Sequence, residues 1–307
     1  MPSPADLAVV VCTRERPEML RHALETIVRF TPRQTRLVVV DSASTTAATR
    51  IVALEAGASY LRTDIKGLSI ARNVGLAASA RDFLVYTDDD CVAIDGWIAG
   101  ILAHFADADV GAVTGEMIDA ATATEHIPAQ PRRITRTIDG LDAGHGALMA
   151  FRREALESIG GFDEVLGAGR LLAGAEDLDI FCRLLDAGWT ITYDPGCVVH
   201  HAHTRDDDAY EKLYLGYGLG LGGLIGKWLR LRPPLGVRMF GVLAGRNFRR
   251  MLRSWRHPRS GPAERAMLRG IFRGIGAATR MQLVAGRFVD ATPPAPIVLA
   301  SVSQEEV

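Results

Sequence analysis

Three consecutive aspartates, Asp88-Asp89-Asp90, follow directly on the apolar run of residues 83–87. Two such charges about 4 Å apart repel by roughly 1 kcal/mol in water, and by more in a partly dry cleft. A hard divalent cation with oxygen ligands would offset that repulsion. The plain alternative is an acidic surface turn. A second acidic group, Glu176-Asp177-Leu178-Asp179, opens a helix after the glycine-rich residues 167–174. Acids at a helix start suit the dipole and need no further role, but one of them could act as a general base toward a hydroxyl. A third group is His200, His201 and His203. Three histidines could bind zinc, but no cysteine or acid stands at ligand spacing beside them. One histidine completing an aspartate-bound metal is the better reading; surface histidines without a role are the plain one.

These residues must be positioned by elements, and the first two hundred positions alternate strand and helix patterns. Residues 7–12 read as a buried strand. Pro17 opens an amphipathic helix with Leu20, Ala23, Leu24, Ile27 and Val28 on one face. Residues 37–40 form a second strand ending at Asp41, then a helix runs to Gly57, a helix-ending glycine. A short strand at 58–62 precedes a helix capped by Ser69 and running to Ala80. The run at 83–87 is the strand before the aspartates, and Asp95 caps the next helix. Repeated βα units imply a doubly wound, mostly parallel sheet. In such sheets ligands bind beyond the carboxyl ends of the strands. Thr13, Arg14, Asp41, Arg72 and the aspartates all fall there.

The middle is less regular. Residues 111–117 and 147–151 read as strands, and 122–142 as an irregular loop over a site. A helix ends at Gly160-Gly161, another spans 177–187, and 189–193 and 197–200 read as two short strands. Beyond Thr204 the pattern turns helical, basic and glycine-rich.

The chain has 307 residues, 48% hydrophobic and 23% charged, which allows one large domain with an appendage or two domains. The formal net charge of −1 points to no partner. Yet residues 209–290 hold sixteen lysines and arginines against Glu211, Glu264 and Asp290. That basic part has few aromatics for base stacking, which argues against nucleic acid. Arginines mixed with apolar stretches at 213–231 and 235–252 suit a membrane surface, and equally a packing or dimerisation domain. The glycines of 218–223 match GxGxxG but follow no strand, so they read as a close helix contact with protein or lipid. Cys12, Cys91, Cys182 and Cys197 form no CxxC pair and suit buried, reduced thiols of a cytoplasmic protein. Neither a signal peptide nor a membrane-spanning run is expected.

Eight pieces in order then carry a resemblance. They are Val9-Val10-Val11-Cys12-Thr13-Arg14, Val38-Val39-Val40-Asp41-Ser42, Gly67-Leu68-Ser69-Ile70-Ala71-Arg72-Asn73-Val74-Gly75 and Tyr86-Thr87-Asp88-Asp89-Asp90. They continue with Phe151-Arg152-Arg153-Glu154-Ala155-Leu156, Gly160-Gly161-Phe162-Asp163-Glu164, Glu176-Asp177-Leu178-Asp179 and Pro195 with His201 six residues on. Over residues 7–203 the chain resembles the family 2 glycosyltransferases, which have the GT-A fold.

The resemblance implies an α/β domain at 1–204, its sheet sandwiched by helices, with a nucleotide-binding half at 1–118 and an acceptor and catalytic half at 119–204. A basic helical extension at 205–290 and a flexible tail at 291–307 would follow. It implies Asp88 and Asp90 as the DxD pair, with Mn²⁺ or Mg²⁺ held by Asp88, Asp90 and His201. Thr13, Arg14, Asp41, Arg72, Asp88 and Asp89 would bind the donor, Asp41 reading the base. Asp177 would be the catalytic base of an inverting transfer from a nucleoside-diphosphate sugar to a hydroxyl of a glycan, a lipid-linked acceptor or a small molecule. Peripheral contact with the cytoplasmic face of the inner membrane, or a homodimer through the C-terminal helices, would use the basic extension. A sugar-nucleotide-forming nucleotidyltransferase and a non-catalytic nucleotide-sugar-binding subunit are the alternatives.

Overall fold

The computed structural model describes residues 1–119, 129–201 and 210–299. They divide into two compact units. One comprises residues 1–162, 181–203 and 293–307; the other comprises 163–180 and 204–292.

The first unit is built on one sheet with strand order β3-β2-β1-β4-β8-β6-β9-β5, and β7 beside β9. Its first half is regular: β1 (Leu7–Thr13), α1 (Pro17–Phe30), β2 (Arg36–Ser42), α2 (Ala48–Glu55), β3 (Ser59–Thr63), α3 (Leu68–Ala78) and β4 (Phe83–Asp88). β3, β2, β1 and β4 are parallel throughout. Every residue of β1 is buried, as expected of an apolar strand covered on both faces. Leu20, Ala23, Leu24 and Ile27 of α1 join Val9, Val11, Val39 and Val85 in the core. Val28, expected on that face, is 49% exposed, because its position falls at the flank of the buried stripe.

The second half is mixed: β5 (Cys91–Ala93), α4 (Trp97–His104), β6 (Val110–Asp119), β7 (Arg132–Ile134), β8 (Leu148–Arg152), α5 (Arg153–Ser158), the part of α6 (Glu176–Asp186) from residue 181 on, and β9 (Thr190–His201). β8 runs antiparallel to both β4 and β6, while β6 and β9 are parallel. Three local readings change. Ser69 is not a cap but lies buried inside α3. The entrance to α3 is held instead by Ser42, whose hydroxyl accepts from Gly67 N at 2.9 Å. α4 starts behind Gly96 at φ 76°, not at Asp95. The two short strands expected near residue 195 are one strand, β9, which passes Pro195-Gly196 through an irregular register. The expected loop at 122–142 contains β7 and a 3-10 turn at Thr137–Asp142; its residues 122–128 lie outside the described ones.

The other unit holds α7 (Tyr210–Leu231), α8 (Pro233–Ser254), α9 (Ser260–Ala278) and a small hairpin of β10 (Leu283–Val284) and β11 (Arg287–Phe288). The glycine pattern of α7 serves two contacts: Gly216, Gly220 and Gly223 pack on residues 172–174, and Gly218, Gly222 and Gly226 on α9. A Cβ on Gly218 would lie 2.1 Å from Met267 O, and one on Gly222 2.1 Å from Ile271 O. α9 answers with Gly270 and Gly274, whose Cα atoms lie within 3.0 Å of those built positions. The two backbones therefore touch, which only glycine permits. Residues 163–180 belong with these helices. Leu166 and Leu172 pack with Ala278 and Phe288, and Lys227 of α7 is buried between Asp163 and Asp179, 2.6 Å from each.

Candidate active site

The register of the parallel strands gathers the first candidates. Thr13 pairs with Asp41, and Cys12 with Asp88, so the ends of β1, β2 and β4 form one edge. The loops leaving β1 and β2 are laced together. Glu15 N donates to Ser44 Oγ at 2.9 Å, and Thr45 N donates to Glu15 Oε1 at 2.7 Å. Glu15 and Ala43 have φ of 55° and 62°. Such left-handed backbone in non-glycine residues is costly and clusters where a fold holds a functional loop in one shape. Arg14 beside them is half-buried and lies 3.9 Å from Glu15.

Asp41, expected to read the base, has no exposed surface. Its carboxylate accepts from Ser44 N at 2.8 Å and from Tyr60 Oη at 2.9 Å. Here it shapes the loop after β2 and fixes Tyr60. Arg62, one strand over, donates to Ser44 O and to Ile297 O, and Ile297 N donates to Asp64 O. Ile297 thus lies beside this edge.

The aspartates split into an inner and an outer set. Asp89 has no exposed surface. It accepts from the Thr13 hydroxyl at 2.6 Å and pairs with Arg16 at 2.5 Å. Burial pushes its carboxyl up to about 6, against the Arg16 charge and the Thr13 hydrogen bond, while Asp90 and Asp88 add repulsion. Asp89 and Thr13, expected on the donor, therefore spend their polar atoms on one another and on Arg16. Arg16 also reaches Asp90 at 3.2 Å.

Asp88 turns to Arg72, and Asp90 offers one carboxylate oxygen to Arg16 and the other toward His201. With Cys91 the two aspartates place one ligand atom each within 4.8 Å of one another. Burial pushes the Cys91 thiol well above its ordinary value, and a soft sulfur is a poor match for a hard cation. The second half of the sheet supplies a better donor. β5 pairs antiparallel with β9, placing Cys91 opposite His201. His201 Nε2 then lies 3.5 Å from Asp90 Oδ1. Two carboxylates and one imidazole fit Mn²⁺ or Mg²⁺ by donor chemistry. His200 points to the other face of β9 by strand alternation, and His203 lies outside the described residues.

Arg72 is nearly wholly buried beneath this group. It lies 3.6 Å from Asp88, donates to Gly146 O at 3.4 Å and stacks over Phe162. Next to Gly146 is His145, whose Nδ1 is buried without a hydrogen-bond partner. Burial holds its imidazole below the ordinary value; Glu116 opposes this and His201 adds to it.

Asp177 lies in the second turn-forming position of α6, in the unit formed by residues 163–180 and 204–292. Ala175 just before the helix has φ of 60°, a third left-handed non-glycine. Asp177 is half-buried and accepts from Leu178 N at 2.8 Å. Asp179 points inward to Lys227.

Sequence reasoning missed Arg16, Tyr60 and His145. Arg16 had a signal, an Arg-x-Arg pair between the first strand and Pro17. Tyr60 and His145 had none, since only strand order and loop path bring them here.

A parallel β3-β2-β1-β4 sheet with an Asp-x-Asp pair at the end of β4 is the arrangement of the GT-A glycosyltransferases. Residues 8–160 match the model of Glycosyl transferase family 2, and the chain belongs to that family through this domain. It is 27% identical over 292 residues to the pre-mycofactocin glycosyltransferase of Mycobacterium tuberculosis, covering 82% of this chain and 59% of the relative. It is also 27% identical over 209 residues to the succinoglycan biosynthesis protein ExoM of Rhizobium meliloti, covering 62% of this chain and 64% of that protein. The chain thus spans about three-fifths of the length of these relatives. In fold it resembles the mannosyltransferase PcManGT from Pyrobaculum calidifontis, solved with GDP-Man and Mn²⁺. The TM-score is 0.60 at 21% identity, covering 93% of this chain and 79% of that one.

Proposed function

We propose that this chain is an inverting, metal-dependent glycosyltransferase that moves a sugar from a nucleoside-diphosphate sugar to a hydroxyl acceptor. The observation that carries the reading is the Asp88 and Asp90 pair at the end of β4, with His201 3.5 Å from Asp90 and the buried Arg72 3.6 Å from Asp88. The mannosyltransferase with GDP-Man and Mn²⁺ and GalNAc-T7, solved with UDP, GalNAc and Mn²⁺, support a donor and metal of this kind.

In this reading residues 1–118 bind the donor and residues 119–204 supply the acceptor side. Asp88 and Asp90, with His201 beside Asp90, would hold Mn²⁺ or Mg²⁺, which would supply Lewis-acid stabilisation of the departing diphosphate. Arg72 fixes Asp88 and adds positive charge where the diphosphate gathers negative charge. Arg14 faces the phosphate and nucleoside from the loop after β1. Thr13, Asp89 and Arg16 keep that loop and the aspartate turn in one geometry. Asp177 accepts the proton of the acceptor hydroxyl as that oxygen attacks the anomeric carbon, so the configuration inverts. The acceptor in this reading is a glycan or a lipid-linked sugar of the cell envelope.

Thermal unfolding against a panel of nucleoside diphosphates, with and without Mn²⁺, tests this without a known acceptor. Ligand binding to the folded state raises stability by about 2.7 kcal/mol at a hundredfold excess over Kd. One diphosphate should stabilise the chain only when Mn²⁺ is present. Equal stabilisation with and without metal would remove the metal from the reading, and no response to any diphosphate would remove the donor.

A further inference from the structure

α8 carries no acidic residue and shows three faces. Gly236, Met239, Leu243, Asn247 and Met251 form the buried face. A second face bears Val237, Phe248, Leu252 and Trp255, which are 62%, 49%, 56% and 55% exposed. With Gly241 and Ala244 between them, these positions recur at intervals of three and four residues, so they form one stripe along the helix. The stripe is open: a Cβ on Gly241 would meet nothing within 4 Å. Beside it run Arg238, Arg249, Arg253 and Arg256, all exposed and without an ion pair among the described residues. Arg250, on the inner side, is instead spent on Glu264 at 3.3 Å. Leu252, Arg253, Trp255 and Arg256 line a hollow of about 520 Å³.

We propose that this face of α8 rests on an anionic lipid bilayer. The stripe would lie at the boundary between headgroups and acyl chains, with the four arginines on lipid phosphates. A helix with an apolar face, arginines alongside and low overall hydrophobicity lies in the interface rather than across it. No described helix is long and apolar enough to cross a membrane. Charge decides between a bilayer and a second copy of the chain. A two-fold contact brings the same patch against itself. Here it would set a row of arginines, on a helix without an acid, against its own image. Lipid phosphates supply the opposite charge along the whole row. The glycines of α7 take no part, because α9 and residues 172–174 already cover them. The proposal stands apart from the transfer reaction and holds whatever the donor is.

Flotation of the full chain with vesicles tests it. The chain should float with phosphatidylglycerol vesicles at low salt, and stay at the bottom with phosphatidylcholine alone or at high salt. Arg249→Gln, Arg253→Gln and Arg256→Gln together should weaken partitioning about 100-fold, each arginine counting for about fivefold at an anionic surface. Phe248→Ser with Leu252→Ser should lower partitioning while leaving the unfolding temperature unchanged, since both side chains are exposed. Trp255 emission should be quenched by brominated lipid mixed into the vesicles, and Trp255→Phe should lose that quenching. No flotation on phosphatidylglycerol at low salt would overturn the proposal, as would flotation that neither set of exchanges weakens. A solution dimer that ignores vesicles and dissociates with the serine pair would also overturn it, and would assign the face to a second copy.

Discussion

Lys227 of α7 donates to Asp179 of α6 at 2.6 Å, and neither side chain touches solvent. The same ammonium donates to Asp163 at 2.6 Å, and Asp163 also accepts from Phe288 N at 2.8 Å. One buried cation thus joins the segment that opens α6 to the long glycine-bearing helix and the terminal hairpin. Removing one partner of a buried ion pair leaves an uncompensated charge. Lys227→Met should therefore cost about 3–5 kcal/mol, seen as a fall of about 10 °C in unfolding temperature. A fall within a degree or two would mean the two aspartates take up protons and need no cation.

Asp90→Asn tests the metal separately from the nucleotide. It removes the carboxylate that lies nearest His201. The extra stabilisation that Mn²⁺ gives in the presence of a nucleoside diphosphate, about 2.7 kcal/mol at a hundredfold excess, should vanish in the variant. The fold should persist, because Asp89 and Arg16 still pair. Undiminished Mn²⁺ dependence in the thermal shift would place the metal elsewhere.

Asp177→Asn tests the base. Donor binding, read as the diphosphate-dependent thermal shift, should be unchanged, while transfer falls by about 10²–10⁴-fold, the usual worth of a positioned proton acceptor. Near-normal turnover would move the role to another acid.

A pH experiment reads the joint between α4 and β9. Burial works against ionisation of Asp194, but the hydrogen bonds from His104 and Gly196 N outweigh it and hold the carboxyl below its ordinary 3.8. The His104 contact is 2.6 Å long. A depressed value in the folded state stabilises the fold above pH 3.8 and is lost as pH falls through the folded value. Asp194→Asn should thus lower the unfolding temperature at pH 7, with the gap to the unaltered chain closing below about pH 4. A constant gap down to pH 3 would show that the contact does not depend on the carboxylate charge.

The nucleotide-binding half was legible because its strands are continuous valine-rich runs, and their carboxyl ends follow from βα alternation alone. Asp88, Asp90 and Arg72 could be found that way. β9 could not be read as one strand, because Pro195-Gly196 marks a break in any pattern. The strand continues only because Asp194 accepts from Gly196 N at 2.8 Å and β6 absorbs the irregularity. That continuation is what puts His201 opposite Cys91. The inward turn of Asp89 was equally hidden. A triplet of like residues reads the same at each position, and the split arises from Thr13 and Arg16, more than seventy positions away. The glycines of α7 announced a close contact, but its partner became clear only when α9 was found to carry Gly270 and Gly274 at the matching height.

That backbone contact also bears on what the gene can change. Every glycine codon starts with two guanines, and any change in either base encodes a side chain or a stop. At Gly218 and Gly222 even a methyl group would lie about 2.1 Å from a carbonyl oxygen of α9. Single-base drift at these codons is therefore confined to the silent third position, and escape would need compensating changes in both helices at once. The exposed stripe of α8 has no such constraint. Within one small helical unit, the inner seam is locked against mutation while the outer face is free to be tuned to whatever it meets.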